Sequence, residues 1–212
     1  MLEEGEREAL ASAGRIRSLA RGETLFSAGD QEVACATLVS GALKVSAFDS
    51  GGEERILALI HPAGFVGEMF APFAHYDVVS LTGSKLCVFG RADMESAVER
   101  YPALARALLR RSQEDLHAAR DLLALSGNRD AGSKLASLLL GLAQGASDSP
   151  CHPARKFDLP LTRGEMAGML GITIETVSRR LSSFERDGLI TRTGARGIAL
   201  LDPARLAALA HR

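Results

Sequence analysis

With 212 residues, 46% hydrophobic and 24% charged, the chain has the make-up of a soluble globular protein, long enough for two modest domains without disulfide staples. Its three cysteines, Cys35, Cys87 and Cys151, lie far apart and form no C-x-x-C pair, so neither a disulfide framework nor a zinc or other metal site is expected. The net charge of −1 is unevenly shared: residues 155–212 hold ten Lys/Arg against six Asp/Glu, which is +4, and leave residues 1–154 at −5, the partition expected of a sensor joined to a nucleic-acid-binding module.

The opening MLEEGEREALASAG lacks the basic flank and apolar run of a secretory signal, and no later stretch approaches about 18 uninterrupted apolar residues. A cytoplasmic protein with no membrane partner is expected. From Thr24 to about Phe89, short segments such as ATLVS, ALKVSAF and RILALI alternate with glycine-containing turns, which predicts an all-β sandwich or barrel. No G-x-G-x-x-G or G-x-x-x-x-G-K-[ST] interrupts them, so a Rossmann or nucleotide-hydrolysing reading has little support.

From Arg91 the composition turns to helix formers, and Pro102 opens a helix expected to run to about Leu125. Within it Leu109, Ser112, Leu116, Ala119 and Leu123 recur at spacings of three and four, the seam a two-helix contact between subunits needs. The same helix could instead pack only on its own domain, with Leu104 and Leu108 as the apolar face. Ser126-Gly127-Asn128 is expected to break the helix, residues 129–144 to form another, and the loop QGASDSPCHP to serve as a domain boundary.

Thr162 and Glu165 form a T-x-x-E capping box before Met166, Ala167, Met169 and Leu170, and Gly171 ends that short helix. Thr173 can cap the next, in which Ile174, Val177, Leu181 and Phe184 form the apolar stripe and Glu175, Ser178, Arg179 and Ser182 lie off it. Two short helices around a glycine turn, the second presenting polar residues early, is the layout that places a recognition helix in the major groove. An arginine can donate two bonds to guanine and a glutamate can accept from cytosine, although Glu175 and Arg179 could equally form a surface ion pair. Two β-like segments joined by GAR follow, with Arg192 and Arg196 near the turn as a basic wing suited to phosphate, and a terminal helix begins after Asp202-Pro203.

The stretch LTRGEMAGMLGITIETVSRRL resembles the winged helix-turn-helix of the CRP/FNR family of bacterial regulators, and GETLFSAGD with FVGE resembles the jelly-roll sensor domain of the same family. The likeness covers nearly the whole chain in the same order. It implies an α+β fold with an N-terminal β jelly-roll, cyclic-nucleotide-binding-like, over residues 1–100, a dimerisation helix over 101–127 and a winged helix-turn-helix over 128–212. It also implies a homodimeric transcription factor on palindromic promoter DNA, with RNA polymerase as a further partner. The E-x-x-S-R pattern of Glu175, Ser178 and Arg179 resembles the FNR branch, which implies base readout of half-sites like TTGAT facing ATCAA. By position, Thr162, Arg163, Thr173 and Thr176 look like phosphate contacts, although the threonines could also be simple caps.

Family members that bind cyclic nucleotides hold the phosphate with an Arg-Ser pair shortly after a Gly-Glu; here Asp77 and Val78 follow Gly67-Glu68, so no cyclic nucleotide is expected. Residues 1–34 hold no cysteine and a four-thiolate iron–sulfur cluster is not expected, which leaves Cys87 as a small apolar residue. Haem is the third family option, with His61 or His75 as axial ligand, and constitutive activity controlled by expression level is equally open. No nucleophile with a base, metal spacing or phosphate loop suggests an enzyme. A ligand-binding module acting on a partner protein is the alternative, since the jelly roll also occurs fused to kinases and channels, but it gives Glu175, Ser178 and Arg179 no task.

Overall fold

The structure, a computed structural model, describes residues 13–31, 35–126, 130–147 and 152–210. The chain divides into two compact units, Met1–Arg120 and Asp121–Arg212. In the first, two four-stranded antiparallel sheets face each other as a jelly roll. One has the order β1-β8-β3-β6, made of β1 (Arg15–Leu19), β8 (Ser84–Phe89), β3 (Cys35–Ser40) and β6 (Phe65–Val66); the other has the order β2-β7-β4-β5, made of β2 (Thr24–Phe26), β7 (Asp77–Ser80), β4 (Leu43–Phe48) and β5 (Glu54–Ile60).

Alternation decides which side chains enter the space between the sheets: in β8 Ser84 and Leu86 are buried while Lys85 is exposed, and in β7 Val78 and Ser80 are buried between half-exposed neighbours. Leu38, Leu43, Ile60, Val66, Val78 and Leu86 form the centre of the resulting core. Two turns show why glycine is needed. A side chain at Gly41, between β3 and β4, would put its Cβ 2.3 Å from Ser84 Oγ, and the residue has φ of 100°. In the β4–β5 hairpin the Asp49 carboxylate accepts from the backbone N–H of Gly51 at 2.9 Å and of Glu53 at 3.1 Å, a side-chain mimic of a backbone turn. Strand β1 lies before the expected β region; its residues are mostly exposed, Ile16 included, so no burial period marks it, and pairing with β8 defines it instead.

Helix α1 (Arg91–Arg100) and the start of α2 (Pro102–Ser126) close a second cluster in which Met94 and Leu104, with Leu108 at its edge, pack on Cys35, Met69 and Phe89. The own-domain packing weighed from sequence for Leu104 and Leu108 is therefore present. The other stripe of α2 is left open: Leu109, Leu116 and Leu123 are 64%, 49% and 72% exposed, Ser112 is exposed and Ala119 half-buried. Arg111, on the same face of α2 as Leu104 and Leu108, pairs with Glu114 at 3.4 Å and Asp115 at 3.3 Å.

The second unit is built on α3 (Ala131–Gly145), an almost entirely apolar helix whose Leu135, Leu139 and Leu142 are buried against α6 (Pro203–Ala210) and α5 (Ile174–Arg186). Helix α2 ends at Ser126; the expected breakers Gly127 and Asn128 lie outside the described residues. The loop expected as a domain boundary lies inside this unit instead. Its far end turns back on α3, with Ala154 N–H donating to the Ala143 carbonyl at 2.8 Å, and its residues 148–151, Cys151 among them, lie outside the described residues. A three-stranded antiparallel sheet, β10-β11-β9, completes the unit from β9 (Lys156–Asp158), β10 (Ile190–Thr193) and β11 (Gly197–Leu200). Among the described residues no helix is long and apolar enough to cross a membrane.

Candidate nucleic-acid interface

Helix α4 (Arg163–Leu170) begins at the expected capping box: Thr162 Oγ1 accepts from Glu165 N–H at 3.2 Å while Glu165 Oε2 accepts from Thr162 N–H at 2.7 Å. The Thr162 hydroxyl also donates to that carboxylate at 2.9 Å, so its only proton is already engaged. Met166, Ala167, Met169 and Leu170 are buried, and Gly171 ends the helix with φ 60° and ψ 43°, a left-handed residue that turns the chain into α5. Thr173 caps α5 by accepting from Thr176 N–H at 3.2 Å.

Val177, Leu181 and Phe184 of α5 are buried, and Glu175 and Arg179 are exposed on the opposite side, with Thr176 and Ser178 half-buried beside them. Ile174, expected on the apolar stripe, is 51% exposed. It stands at the first helical position and leans over Gly164, where a built Cβ would lie 3.8 Å from its Cδ1, rather than entering the core.

The charges at the start of α5 are arranged separately. The Glu175 carboxyl is held below the usual carboxylate range by its own backbone N–H, then by the Thr173 hydroxyl, with the Arg179 charge a smaller influence. Arg179 Nη2 donates to Thr176 Oγ1 at 3.3 Å, and no salt bridge joins it to Glu175 among the described residues. The surface ion pair weighed from sequence is thus not formed. Arg163 Nη1 reaches Ser178 Oγ at 3.4 Å, which brings the start of α4 to the recognition face.

The wing is the β10–β11 hairpin, turning through Gly194 at φ 60°. Arg196 stands exposed at this turn. Arg192, expected to point at phosphate, is turned inward: its Nε and Nη2 donate to Glu185 Oε2 at 2.9 and 2.5 Å, and its backbone N–H donates to Glu185 Oε1 at 3.1 Å. A cleft of about 470 Å³ separates the wing from the start of α4, lined by Thr162, Arg163, Glu185, Arg192 and Arg196 over a floor that includes Leu161 and Met166.

Two further contacts were not legible as function in the sequence. Arg180 Nη2 meets Asp130 Oδ1 at 2.8 Å, and Lys134 Nζ donates to the Leu170 carbonyl at 2.9 Å, both tying α3 to the helix-turn-helix. Lys134 had a signal, being the single charge in the run AGSKLASLLLGLAQG. Glu185 and Asp130 had none.

In the jelly roll, Asp77 Oδ1 accepts from Ala28 N–H at 3.0 Å and Val78 points into the core. Cys35 is buried and its thiol is pushed up to about 11, chiefly by burial; burial raises Cys87 as well. His61 is half-buried, with its pKa lowered by burial and then by the nearby Arg111 charge. His75 is bonded through Nδ1 to Glu68, and its ring lies 4.9 Å from that of Phe73. Among the described residues no group of three or more His, Cys, Asp or Glu is placed to hold a metal ion.

A jelly roll followed by a capped helix-turn-helix with a β wing defines a two-domain DNA-binding regulator. The comparisons agree along the chain. The family model of the cyclic nucleotide-binding domain matches residues 16–101, and that of the Crp-like helix-turn-helix domain matches residues 133–209. The transcriptional activator protein FnrL of Cereibacter sphaeroides is 35% identical over 205 residues, covering 94% of this chain and 83% of that protein. The nitrogen fixation regulation protein FixK of Bradyrhizobium diazoefficiens is 32% identical over 203 residues, covering 93% and 82%. The structure of FixK2 from Bradyrhizobium japonicum superposes with a TM-score of 0.83 at 26% identity, covering 92% of this chain and 96% of that one. The chain belongs to the CRP/FNR family of transcription regulators, in its FNR-like branch. It is a DNA-binding transcription factor and not an enzyme.

Proposed function

We propose that this regulator works in the cytoplasm as a homodimer that reads a TTGAT-type palindrome in promoter DNA and acts there with RNA polymerase. The observation that carries this reading is the outer face of α5, where an ionised Glu175 and an Arg179 free of it stand side by side at the start of a capped helix. Arg179 suits guanine O6 and N7, Glu175 suits cytosine N4, and the Ser178 hydroxyl can serve either base, so the G·C pair of TTGAT matches the set. Arg163, Thr176 and Arg196 are the proposed phosphate contacts. Thr162 and Thr173, whose hydroxyl protons are engaged by the Glu165 and Glu175 carboxylates, serve as the caps of α4 and α5.

The open leucine stripe of α2 supports pairing of two copies, since Leu109, Leu116 and Leu123 recur at heptad spacing and remain exposed in one chain. Ser112 and Ala119 lie between them on the proposed seam.

The sensor contacts support a signal other than cyclic nucleotide. A carboxylate at Asp77 repels a phosphodiester, and Val78 offers it no hydrogen bond. The histidines fit haem poorly: His75 is half exposed and bonded to Glu68, and His61 faces the Arg111 cation. Among the described residues Cys35 and Cys87 belong to no group of three or more His, Cys, Asp or Glu placed to hold a metal ion, which gives a four-thiolate cluster no support there.

Titration of fluorescent duplexes tests the reading. A full palindrome should bind with half-site centres about one helical turn apart, and shifting one half-site by half a turn should abolish the gain over a single half-site. Equal binding to both spacings would contradict a symmetric dimer on a palindrome.

A further inference from the structure

The base of the wing is seated by the buried Ile190 and Ile198 and by pairing of β11 with β9, but its tip has no such support. Thr193, Gly194, Ala195 and Arg196 at its turn are all exposed, and Gly194 occupies the left-handed region, so no core side chain orients the tip. One carboxylate ties the β10 limb of the wing to α5. Glu185, near the end of α5, takes both the backbone N–H and the guanidinium of Arg192, fixing the main chain and the side chain of the same residue at once. Arg192 pairs with Ile198 across the hairpin, and the turn begins two residues beyond it, at Gly194. The Arg196 carbonyl in turn accepts from Leu159 N–H at 2.9 Å, so the far limb of the wing is tied to the segment leading into α4.

The charge balance points the same way. Arg192 is neutralised by Glu185, and pulling it toward a phosphate would leave a bare carboxylate close to the DNA backbone. Its bonds hold the Glu185 carboxyl below the usual carboxylate range, so the pair is intact at neutral pH.

We infer that Glu185 is a positioning residue for DNA binding: by clamping Arg192 it sets the wing so that Arg196 meets the phosphate backbone across the cleft from Arg163, and Arg192 itself makes no phosphate contact. This rests on the DNA-binding mode proposed above.

The test uses the full chain, with anisotropy titrations on the palindrome and on an unrelated duplex over a salt series, for Glu185→Ala, Glu185→Gln, Arg196→Ala and the double variant Glu185→Ala/Arg196→Ala. A simple change of charge predicts that Glu185→Ala binds DNA more tightly with a steeper salt slope, because it removes a negative charge and releases an arginine. The clamp predicts the opposite sign. Glu185→Ala should weaken both duplexes by roughly tenfold and lower the salt slope by about one, as Arg196→Ala does, and the double variant should lose no more than either alone. Glu185→Gln, which keeps acceptors for Arg192, should recover most of the loss. A variant that was merely less stable would keep the Arg196 contribution in its folded fraction, so Arg196→Ala would still lower the slope in its background; that result overturns the clamp. Tighter binding by Glu185→Ala overturns it too. If Arg196→Ala leaves the wild-type slope unchanged, the phosphate role of the wing falls first and the clamp with it.

Discussion

Asp130 and Arg180, 50 residues apart in the chain, meet at 2.8 Å and join the N-terminus of α3 to the recognition helix α5. The same Asp130 carboxylate caps α3 by accepting from Gly132 N–H at 2.7 Å, so one side chain serves two elements. Because the ion pair is largely exposed, the cap is the larger contribution. Asp130→Ala should destabilise the chain by about 1 to 2 kcal/mol, whereas Asp130→Asn, which keeps a capping oxygen, should cost about 0.5 kcal/mol or less. Urea unfolding of the two variants checks this, and equal losses would mean that the cap contributes little.

The leucine stripe of α2 gives a second expectation. Leu116 stands midway along it, and Leu116→Asp would bury an unpaired charge at a symmetric contact, which costs about 3 kcal/mol or more. Sedimentation should show a monomer at concentrations where the unaltered chain is a dimer. A dimer of unchanged strength would place the seam elsewhere.

The parts legible in the sequence were those written in local signals. Thr162 and Glu165, Thr173, and Gly171 announce two capped helices and the turn between them, and the structure has each cap in place. Heptad spacing singled out Leu109, Leu116 and Leu123, which the structure leaves exposed, and the glycine-punctuated segments marked β3, β4 and β5. What escaped depends on contacts between distant positions. Strand β1 is an exposed edge with no alternation to read, and β9 is three residues long, with Phe157 its one buried side chain. The inward turn of Arg192 is decided by Glu185 on another element, and the outward position of Ile174 by the reach of the core beneath α5. Neither is a property of the local pattern.

Asp77 and Val78 carry a third prediction. With a carboxylate and a core valine at the positions considered for phosphate, isothermal titration should detect no binding of cyclic AMP or cyclic GMP up to about millimolar ligand. Micromolar affinity for either would show that another group holds the phosphate.

His61 makes stability depend on pH. Burial and the Arg111 charge lower its folded pKa below the ordinary value of 6.5, so in that interval the unfolded chain binds more protons than the folded one. The stability it contributes is therefore full above 6.5 and is lost as the pH falls through the lower folded value. Urea midpoints measured between about pH 5 and pH 7 should fall less steeply for His61→Gln than for the unaltered chain. Parallel slopes would mean that His61 titrates alike in both states.

Base readout by α5 is tested most directly by binding of Glu175→Ala and Arg179→Ala to three duplexes: a TTGAT-type palindrome, the same duplex with one half-site scrambled, and an unrelated sequence. Contacts to phosphate are blind to sequence, whereas contacts to base edges are not. Each substitution should weaken the palindrome by roughly 1 to 3 kcal/mol while leaving the unrelated duplex nearly unchanged, so that the preference for the palindrome collapses. Equal losses on all three duplexes would contradict a base-reading role for Glu175 and Arg179, and the assignment of the TTGAT half-site with it.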